Sequence, residues 1–507
     1  MTIFNSVISW FMKKRIHQIE LFMKYPHEVQ EEWFENLMIT AENTEWGKKY
    51  QYKSIENFNQ FKERVPIQTY DTLKPYIERM LKGEQNILWP SEIRWFAKSS
   101  GTTSDRSKFI PVSEEALEEC HFKGGKDVLT IYYNNRPDAR LFTGKSLTIG
   151  GSHQISQFSP ETSFGDLSAV IMKNLPFWAE FGRTPDLEIA LMENFEEKIE
   201  KMAKTTIDVN VTGFGGVPTW NIVLFNRILE ITGKKNLLEV WPNMEFCFHG
   251  GVNFTPYREQ FKKLIPTDSM YYLENYNASE GFFGIQDLEE PGEMLLMLDY
   301  GIIYEFLPVE NLHDDNPKTL TLDEVELGKN YALIISTNAG LWRYMIGDTI
   351  RFSSLSPFRI QITGRTKHYI NAFGEEVIIE NAERALEEAC AHTGAVIRDY
   401  TAAPVYFKGN ESGAHEWLIE FVKHPSEFER FVDILDDTLR KINSDYDAKR
   451  FKNLALRRPM VRRAAEGTFF NWMKDKGKLG GQNKVPRLAN DREYIDAILK
   501  LMEVVGG

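Results

Sequence analysis

Apolar side chains recur at helical spacing through the first part of the chain. Ile16, Ile19, Phe22 and Met23 share one face, as do Phe34, Leu37 and Met38, so residues 1–90 are predicted to be rich in helix. The stretch Lys98–Val112 breaks this pattern with small and hydroxylic residues. Helical spacing returns from Ser113 to Val128. Ser113 is placed to cap that helix, with Glu114 and Glu115 in the first turn, where the helix dipole favours negative charge. Ala116 stands where a capping box would need Glu or Gln. Gly124-Gly125 is expected to kink or end the helix.

Between about residues 205 and 350 the pattern changes to short apolar runs bounded by glycine and proline: Met244–Phe248, Met294–Leu298, Ile302–Leu307 and Tyr331–Ser336. These predict buried or half-buried strands. Pro218–Ile231 and Pro256–Leu264 read as helices between them. Such alternation favours an α/β sheet covered by helices. A second, α+β unit is expected from near residue 365, with a helix over Glu375–His392, strands at Val405–Lys408 and Trp417–Val422, and a helix over Pro425–Ile442. His313–Thr321 reads as a loop and not as a linker between domains.

Composition narrows the class. A chain of 507 residues has room for about three domains, or two unequal ones. With 42% hydrophobic and 26% charged residues, global disorder is excluded. Lys and Arg number 60 against 73 Asp and Glu, a net charge of −13. Without a local basic patch, such a surface repels nucleic acid and anionic membranes. Cys120, Cys247 and Cys390 lie far apart with no CxxC spacing, which fits reduced thiols in a cytoplasmic protein better than a zinc ribbon or a disulfide framework. No apolar run is long enough to cross a bilayer. Ile3–Met12 is apolar, but Lys13, Lys14 and Arg15 follow it, whereas a secretory signal places its charge first. An amphipathic helix packed on the body is the expectation, with weak membrane-surface contact as the minor alternative.

Five segments could carry chemistry. Ser99-Ser100-Gly101-Thr102-Thr103-Ser104-Asp105-Arg106-Ser107-Lys108 offers hydroxyls, a glycine and a terminal lysine, the donors a phosphate needs. It is not GxxxxGK[ST], so a P-loop is not indicated, and on composition alone a polar surface loop is the favoured reading. His249-Gly250-Gly251 follows an apparent strand, where glycines let a flat ligand lie against the backbone. In Tyr276-Asn277-Ala278-Ser279-Glu280-Gly281, Tyr276 could stack on a ring and Glu280 could hold Mg²⁺; a plain strand-turn is the alternative. In Trp342-Arg343-Tyr344-Met345-Ile346-Gly347-Asp348, Asp348 could accept the vicinal hydroxyls of a ribose, or simply close a hairpin. Arg365 marks the domain junction. Lys484, in Gly480-Gly481-Gln482-Asn483-Lys484-Val485-Pro486-Arg487, could enter a site and neutralise charge in a transition state, or lie on a solvated basic loop.

The order of these segments resembles the adenylate-forming ligase superfamily. Within it, SSGTTSDRSK, YNASEGFFG, IIYEFLP, RYMIGD and GGQNKVPR together resemble the auxin-responsive Gretchen Hagen family of acyl-acid amido synthetases, over nearly the whole chain. The resemblance implies an α/β fold: a large N-terminal adenylation domain (residues 1–363) with a β-barrel and α/β sheets, and a small, mobile α+β C-terminal domain (364–507). It implies ATP and Mg²⁺. Ser99, Ser100, Thr102 and Thr103 match the phosphate loop, and Gly250 and Gly251 the strand edge beside adenine. Tyr276, Asn277, Ala278, Ser279 and Glu280 match the adenine- and Mg²⁺-side motif. Asp348 matches the ribose aspartate, Arg365 the hinge arginine, and Lys484 the catalytic lysine. Two positions depart from the pattern. Asp105 stands where the family's loop has glycine, and Phe373-Gly374-Glu375-Glu376 lacks the lysine of plant members and is closer to the GE pattern of general adenylate-forming ligases.

The activity implied is adenylation of a small carboxylic acid, followed by transfer of the acyl group to an amine, an amino acid; the sequence leaves the oligomeric state open, with a monomer as the default expectation. An acyl-CoA ligase with a thiol acceptor, or a non-catalytic ligand-binding protein on the same fold, are the alternatives. His121–Tyr133 and Phe214–Val217 are expected to wall the acid's pocket.

Overall fold

A computed structural model describes residues 2–99, 108–150, 155–175, 182–192, 194–251, 254, 257–289, 292–312, 314, 316–366, 369–407, 412–453, 455–475 and 486–505. The predicted helical start is present as Thr2–Lys24 and Pro26–Ala41. Ile19, Phe22, Phe34, Leu37 and Met38 are buried, so the stripe read from the sequence is the packed face. Arg15 fastens the first helix to the body through ion pairs to Asp127 at 2.6 Å and Asp299 at 2.5 Å.

Ser113 caps its helix as expected, its hydroxyl accepting the Ala116 N–H at 2.9 Å. The glycine pair neither ends nor breaks it. Glu114–Ala116 passes through a π-helical stretch, Leu117–Phe122, into Lys123–Asn135. Gly124 has a packing reason: a Cβ there would meet Phe282 Cδ2 at 2.5 Å. The glycine therefore lets this helix lie close against the sheet.

That sheet has eleven strands. Seven form an antiparallel half, in the order Ile302–Pro308, Asn330–Thr337, Tyr344–Leu355, Phe358–Arg365, Met294–Leu296, Gly281–Ile285 and Tyr271–Ala278. The rest, Phe246–His249, Val211–Gly215, Lys145–Thr148 and Arg183–Thr184, continue it as a parallel half. Tyr271–Ala278 belongs to both halves. It pairs antiparallel with Gly281–Ile285 and parallel with Phe246–His249. A separate four-stranded sheet contains Trp95–Ser99 and Lys108–Val112, an antiparallel pair in which Ser99 faces Lys108.

The C-terminal unit is a three-stranded sheet, Val396–Val405, Ala414–Lys423 and Met460–Ala464. The helices Ile379–Thr393 and Phe428–Ile442 pack against one another beside it. Its first helix starts four residues later than predicted, because Glu375 is drawn inside. The Glu375 carboxylate accepts the N–H groups of Ala372 (3.2 Å) and Phe373 (2.7 Å) and meets His415 Nε2 at 2.7 Å. The first strand ends at Val405, where one was expected to begin. Its polar residues Arg398, Asp399 and Thr401 hide it from an apolar-run search, and cross-strand pairing with Ala414–Lys423 fixes it instead.

Among the described residues two large apolar cores result, beside smaller clusters around Trp472 and around Ile334. One lies under the antiparallel half and the N-terminal helices. The other joins the parallel half to the C-terminal unit, with Phe214, Trp241 and Phe261 in one contiguous cluster with Phe373, Trp417 and Leu435. Tyr257 is one bridge between them. Its ring lies 6.1 Å from that of Tyr406 and 5.9 Å from that of Phe407, and its hydroxyl donates to the carbonyl of Ala372. Among the described residues no helix is long and apolar enough to cross a membrane.

Candidate active site

The hairpin between Tyr271–Ala278 and Gly281–Ile285 turns at Ser279 and Glu280. It turns at the carboxyl end of the strand where the parallel and antiparallel halves meet. Ligands of α/β sheets bind at such strand ends. Tyr276 is buried, and its hydroxyl donates to Asp348 Oδ2 at 2.7 Å. Burial, then the Asp348 charge, push its phenol well up, so it stays a donor. Asp348 sits within the strand Tyr344–Leu355 and not at its turn. There it is the register partner of Arg365, whose Nε donates to Asp348 Oδ1 at 2.6 Å. The Arg365 guanidinium also lies 5.0 Å from the ring of Tyr369.

Two more charges complete this group. Glu280 is half-buried, and burial raises its carboxyl above the usual range, with Lys108 as the main opposing charge. Lys108, at the first residue of its strand, is 8% exposed, with its ammonium 5.8 Å from the ring of Tyr70. Burial lowers its affinity for the proton, against the pull of Glu280. Lys108, Arg365, Glu280 and Asp348 thus form one island of mixed charge. Glu376 adds to it, acting on both cations.

The glycine pair forms an adjoining wall. A Cβ on Gly250 would lie 2.4 Å from the carbonyl oxygen of Asn275, so only glycine fits against that strand. Gly251 has φ +79°, with open space where a Cβ would point. Its carbonyl accepts from Asn371 Nδ2 at 3.2 Å. His249 is a structural residue. It is buried, stacks on Phe254 at 4.0 Å, and is pushed by burial down to about 3. Asn275 Nδ2 donates to Asn277 Oδ1 at 3.1 Å, Asn277 being exposed and Ala278 and Ser279 half-buried.

Of the predicted site residues, Tyr276, Glu280, Asp348 and Arg365 therefore converge, and Gly250 and Gly251 edge the same strand end. Ser99 ends its strand opposite Lys108. Ser100, Thr102, Thr103, Asp105 and Lys484 lie outside the described residues. The segment that follows Lys484 is described, and it runs to the domain junction. Ala402 N–H donates to Arg487 O (2.8 Å), Ala489 N–H to Ala402 O (3.1 Å), and Asn371 N–H to Asn490 Oδ1 (2.6 Å). Asn371 and Asn490 carry no motif of their own, and no sequence signal pointed to them; Glu376 lies in the Phe373-Gly374-Glu375-Glu376 segment, which the sequence marked only as a departure from the family pattern. Among the described residues no group of three or more His, Cys, Asp or Glu side chains could hold a metal ion by itself.

A large lobe built on a mixed sheet, a small α+β lobe, and a charged group at the strand ends between them define the adenylate-forming ligase architecture. Accordingly, the fold is similar to that of 2-hydroxyisobutyryl-CoA ligase in its thioesterification state, with a TM-score of 0.54, 12% identity, and 94% of this chain and 92% of that one covered. It is also similar to GH3.15 acyl acid amido synthetase, with a TM-score of 0.61, 16% identity, and 97% and 95% covered. The chain belongs to the GH3 family. The family's N-terminal domain matches residues 15–270, its central domain residues 295–365 and its C-terminal domain residues 380–493. Curated relatives include indole-3-acetic acid-amido synthetase GH3.2 of Arabidopsis thaliana, 24% identical over 77% of this chain and 83% of the relative. Another is jasmonoyl-L-amino acid synthetase JAR4 of Nicotiana attenuata, 24% identical over 66% and 68%.

Proposed function

We propose that this protein is an ATP-dependent acyl-acid amido synthetase, joining a small carboxylic acid to an amino acid with release of AMP and pyrophosphate. The observation that carries the reading is Asp348, held between Tyr276 and Arg365 at the strand ends with Glu280 and Lys108 beside it. Family membership and the activities named for the relatives support it.

In the first half-reaction, a carboxylate oxygen of the acid attacks the α-phosphorus of ATP. The bond to the pyrophosphate oxygen breaks, leaving a mixed anhydride. Positioning and charge neutralisation are the protein's main contributions. A carboxylate has about four acceptor sites, and the bonds from Tyr276 and Arg365 leave Asp348 able to take ribose hydroxyls. The Gly250–Gly251 edge would receive the flat adenine, and Ser99, Ser100, Thr102 and Thr103 the phosphates. Lys108, at the loop's exit, adds a positive charge. Glu280 suits Mg²⁺, which commonly takes one or two carboxylates together with substrate phosphate oxygens; when bound, the ion would neutralise charge on those oxygens. Lys484 would serve the adenylation step, and the Arg365 junction would let the small lobe (364–507) turn away from the large one (1–363) to admit the acceptor. In the second half-reaction the amine nitrogen attacks the acyl carbon, the C–O bond to AMP breaks, and the nitrogen loses its proton.

The test is ATP–pyrophosphate exchange across a panel of carboxylic acids, followed by AMP release with amino acids or coenzyme A as acceptor. Acid-dependent exchange, with AMP release stimulated by amino acids, is expected. Exchange stimulated to turnover only by coenzyme A would replace the amide reading with a thioester one, and no exchange with any acid would defeat both.

A further inference from the structure

Two further tyrosines stand beside the charged group around Asp348, and they differ in how their hydroxyls are used. Tyr70 is buried, with its ring 5.8 Å from the Lys108 ammonium and its hydroxyl accepting the Phe109 N–H at 2.9 Å. Tyr344, the first residue of the strand Tyr344–Leu355 that carries Asp348, is fully buried. Among the described residues its hydroxyl completes no hydrogen bond. Glu280 acts on it most strongly among its neighbours, ahead of Tyr70 and Arg365, and is the acceptor it is turned toward, although the approach stops short of a full bond.

The sheet brings these two residues together. Glu280 lies at the turn between Tyr271–Ala278 and Gly281–Ile285. Gly281, the next residue, packs on the strand Ile302–Pro308, where a Cβ would stand 2.8 Å from Ile302 Cδ1. Other strands separate Gly281–Ile285 from Ile302–Pro308 in the sheet order, so the antiparallel half curls round to make this contact. Ile302 is the register partner of Thr337, and two residues away on that strand Ile335 is the partner of Tyr344. The turn with Glu280 therefore comes down where the strand of Tyr344 begins. A buried hydroxyl without a partner costs stability, and phenylalanine would fill the same space without that cost.

We propose that Tyr344 is a positioning residue, whose hydroxyl donates to the Glu280 carboxylate and aims it at the cation that accompanies ATP. This rests on the adenylation reading above, in which Glu280 suits Mg²⁺. A carboxylate that holds an ion through one oxygen can accept a hydrogen bond at the other, and a donor there fixes its direction. Lys108 offsets the cost of burying Glu280, but a second cation competes with an ion for the same oxygens. A phenol steadies the carboxylate without adding charge. The Tyr276 hydroxyl already donates to Asp348, so it cannot also serve Glu280.

The experiment uses the full-length protein with ATP and magnesium chloride. Tyr344→Phe keeps the ring and removes only the hydroxyl. In urea without nucleotide its midpoint is expected to stay level or rise, whereas Tyr70→Phe, which strips the Phe109 N–H of its acceptor, should lower it. The Mg²⁺ concentration that half-saturates pyrophosphate exchange at fixed ATP should rise about tenfold, the low end of the effect of losing a group that orients a metal ligand. The thermal shift with ATP and Mg²⁺ should shrink, and the shift with ATP and EDTA should not. In a Glu280→Gln background Tyr344→Phe should add nothing. A lowered urea midpoint with native Mg²⁺ dependence, or failure of Tyr344→Phe to fold, would make the hydroxyl structural and overturn the proposal. An equal loss with and without Mg²⁺, or a further loss in the Glu280→Gln background, would also overturn it, because the hydroxyl would then act through some group other than Glu280. Absence of exchange with any acid would defeat the adenylation reading, while the urea and thermal-shift arms would still decide the role of Tyr344.

Discussion

Asp348 and Arg365 face each other across two neighbouring antiparallel strands, and their side chains meet at 2.6 Å. Tyr276 holds the other carboxylate oxygen from a third strand. Three strands of one sheet are thus tied together where the nucleotide is proposed to bind.

Replacing Asp348 by Asn should strand the Arg365 charge in a site where both side chains are less than one-fifth exposed. Breaking such a pair costs about 3–5 kcal/mol, so the urea midpoint should fall clearly. The rise in melting temperature on adding ATP with Mg²⁺ should vanish. Adding Arg365→Gln to this variant should recover part of the stability but none of the ATP response. A single variant that keeps both its midpoint and its ATP response would remove Asp348 from the site.

The two glycines should respond differently to alanine. At Gly250 the new methyl would meet the Asn275 backbone, and such overpacking costs about 1–3 kcal/mol. At Gly251 there is room, but φ is +79°, and the left-handed conformation costs a non-glycine residue about 1–2 kcal/mol. Gly250→Ala should also raise KM for ATP, because Asn275 adjoins Tyr276 and must move. Equal ATP kinetics in the two variants would contradict this.

Stability should fall on mild acidification. Burial pushes His121 down to about 4 and His249 down to about 3, from an ordinary value of 6.5. Below that value the unfolded chain takes up protons that the folded chain refuses. Their contribution is therefore complete above pH 6.5 and is lost as pH falls toward 4, by up to about 1.4 kcal/mol per pH unit for each histidine. Urea titrations at falling pH measure the slope, and His121→Asn should reduce it. A flat profile would mean that the rings are not held neutral.

Lys484→Ala should slow acid-dependent pyrophosphate exchange by about two orders of magnitude, the effect of one lost transition-state charge of about 3 kcal/mol. Its melting temperature should stay near that of the native protein. Native exchange rates in this variant would reassign the step to other residues, Lys108 first among them.

The sequence was most legible where local chemistry decides the outcome. The helical stripe through Ile19 and Phe22, the Ser113 cap and the strand Ile302–Pro308 each follow from spacing or composition, and each is present. Motif order led to Tyr276, Glu280, Asp348 and Arg365, which the sheet brings together. What stayed hidden depends on distant partners. Gly124 reads as a helix breaker until Phe282 is seen against it. Glu375 reads as the start of a helix until His415, forty residues on, draws it inward. Lys198 and Lys449 are ordinary surface lysines by every local measure, and only the tertiary fold sets both against Trp220.

Tyr257 gives the lobe junction a thermal character. Its ring rests on Tyr406 and Phe407, and its hydroxyl is held by Ala372. A turn of the small lobe large enough to matter would wet those rings, and hydrating apolar surface raises heat capacity. Apolar contacts weaken on cooling, so the undocked arrangement gains ground in the cold, and Arrhenius plots for the two half-reactions should curve to different degrees.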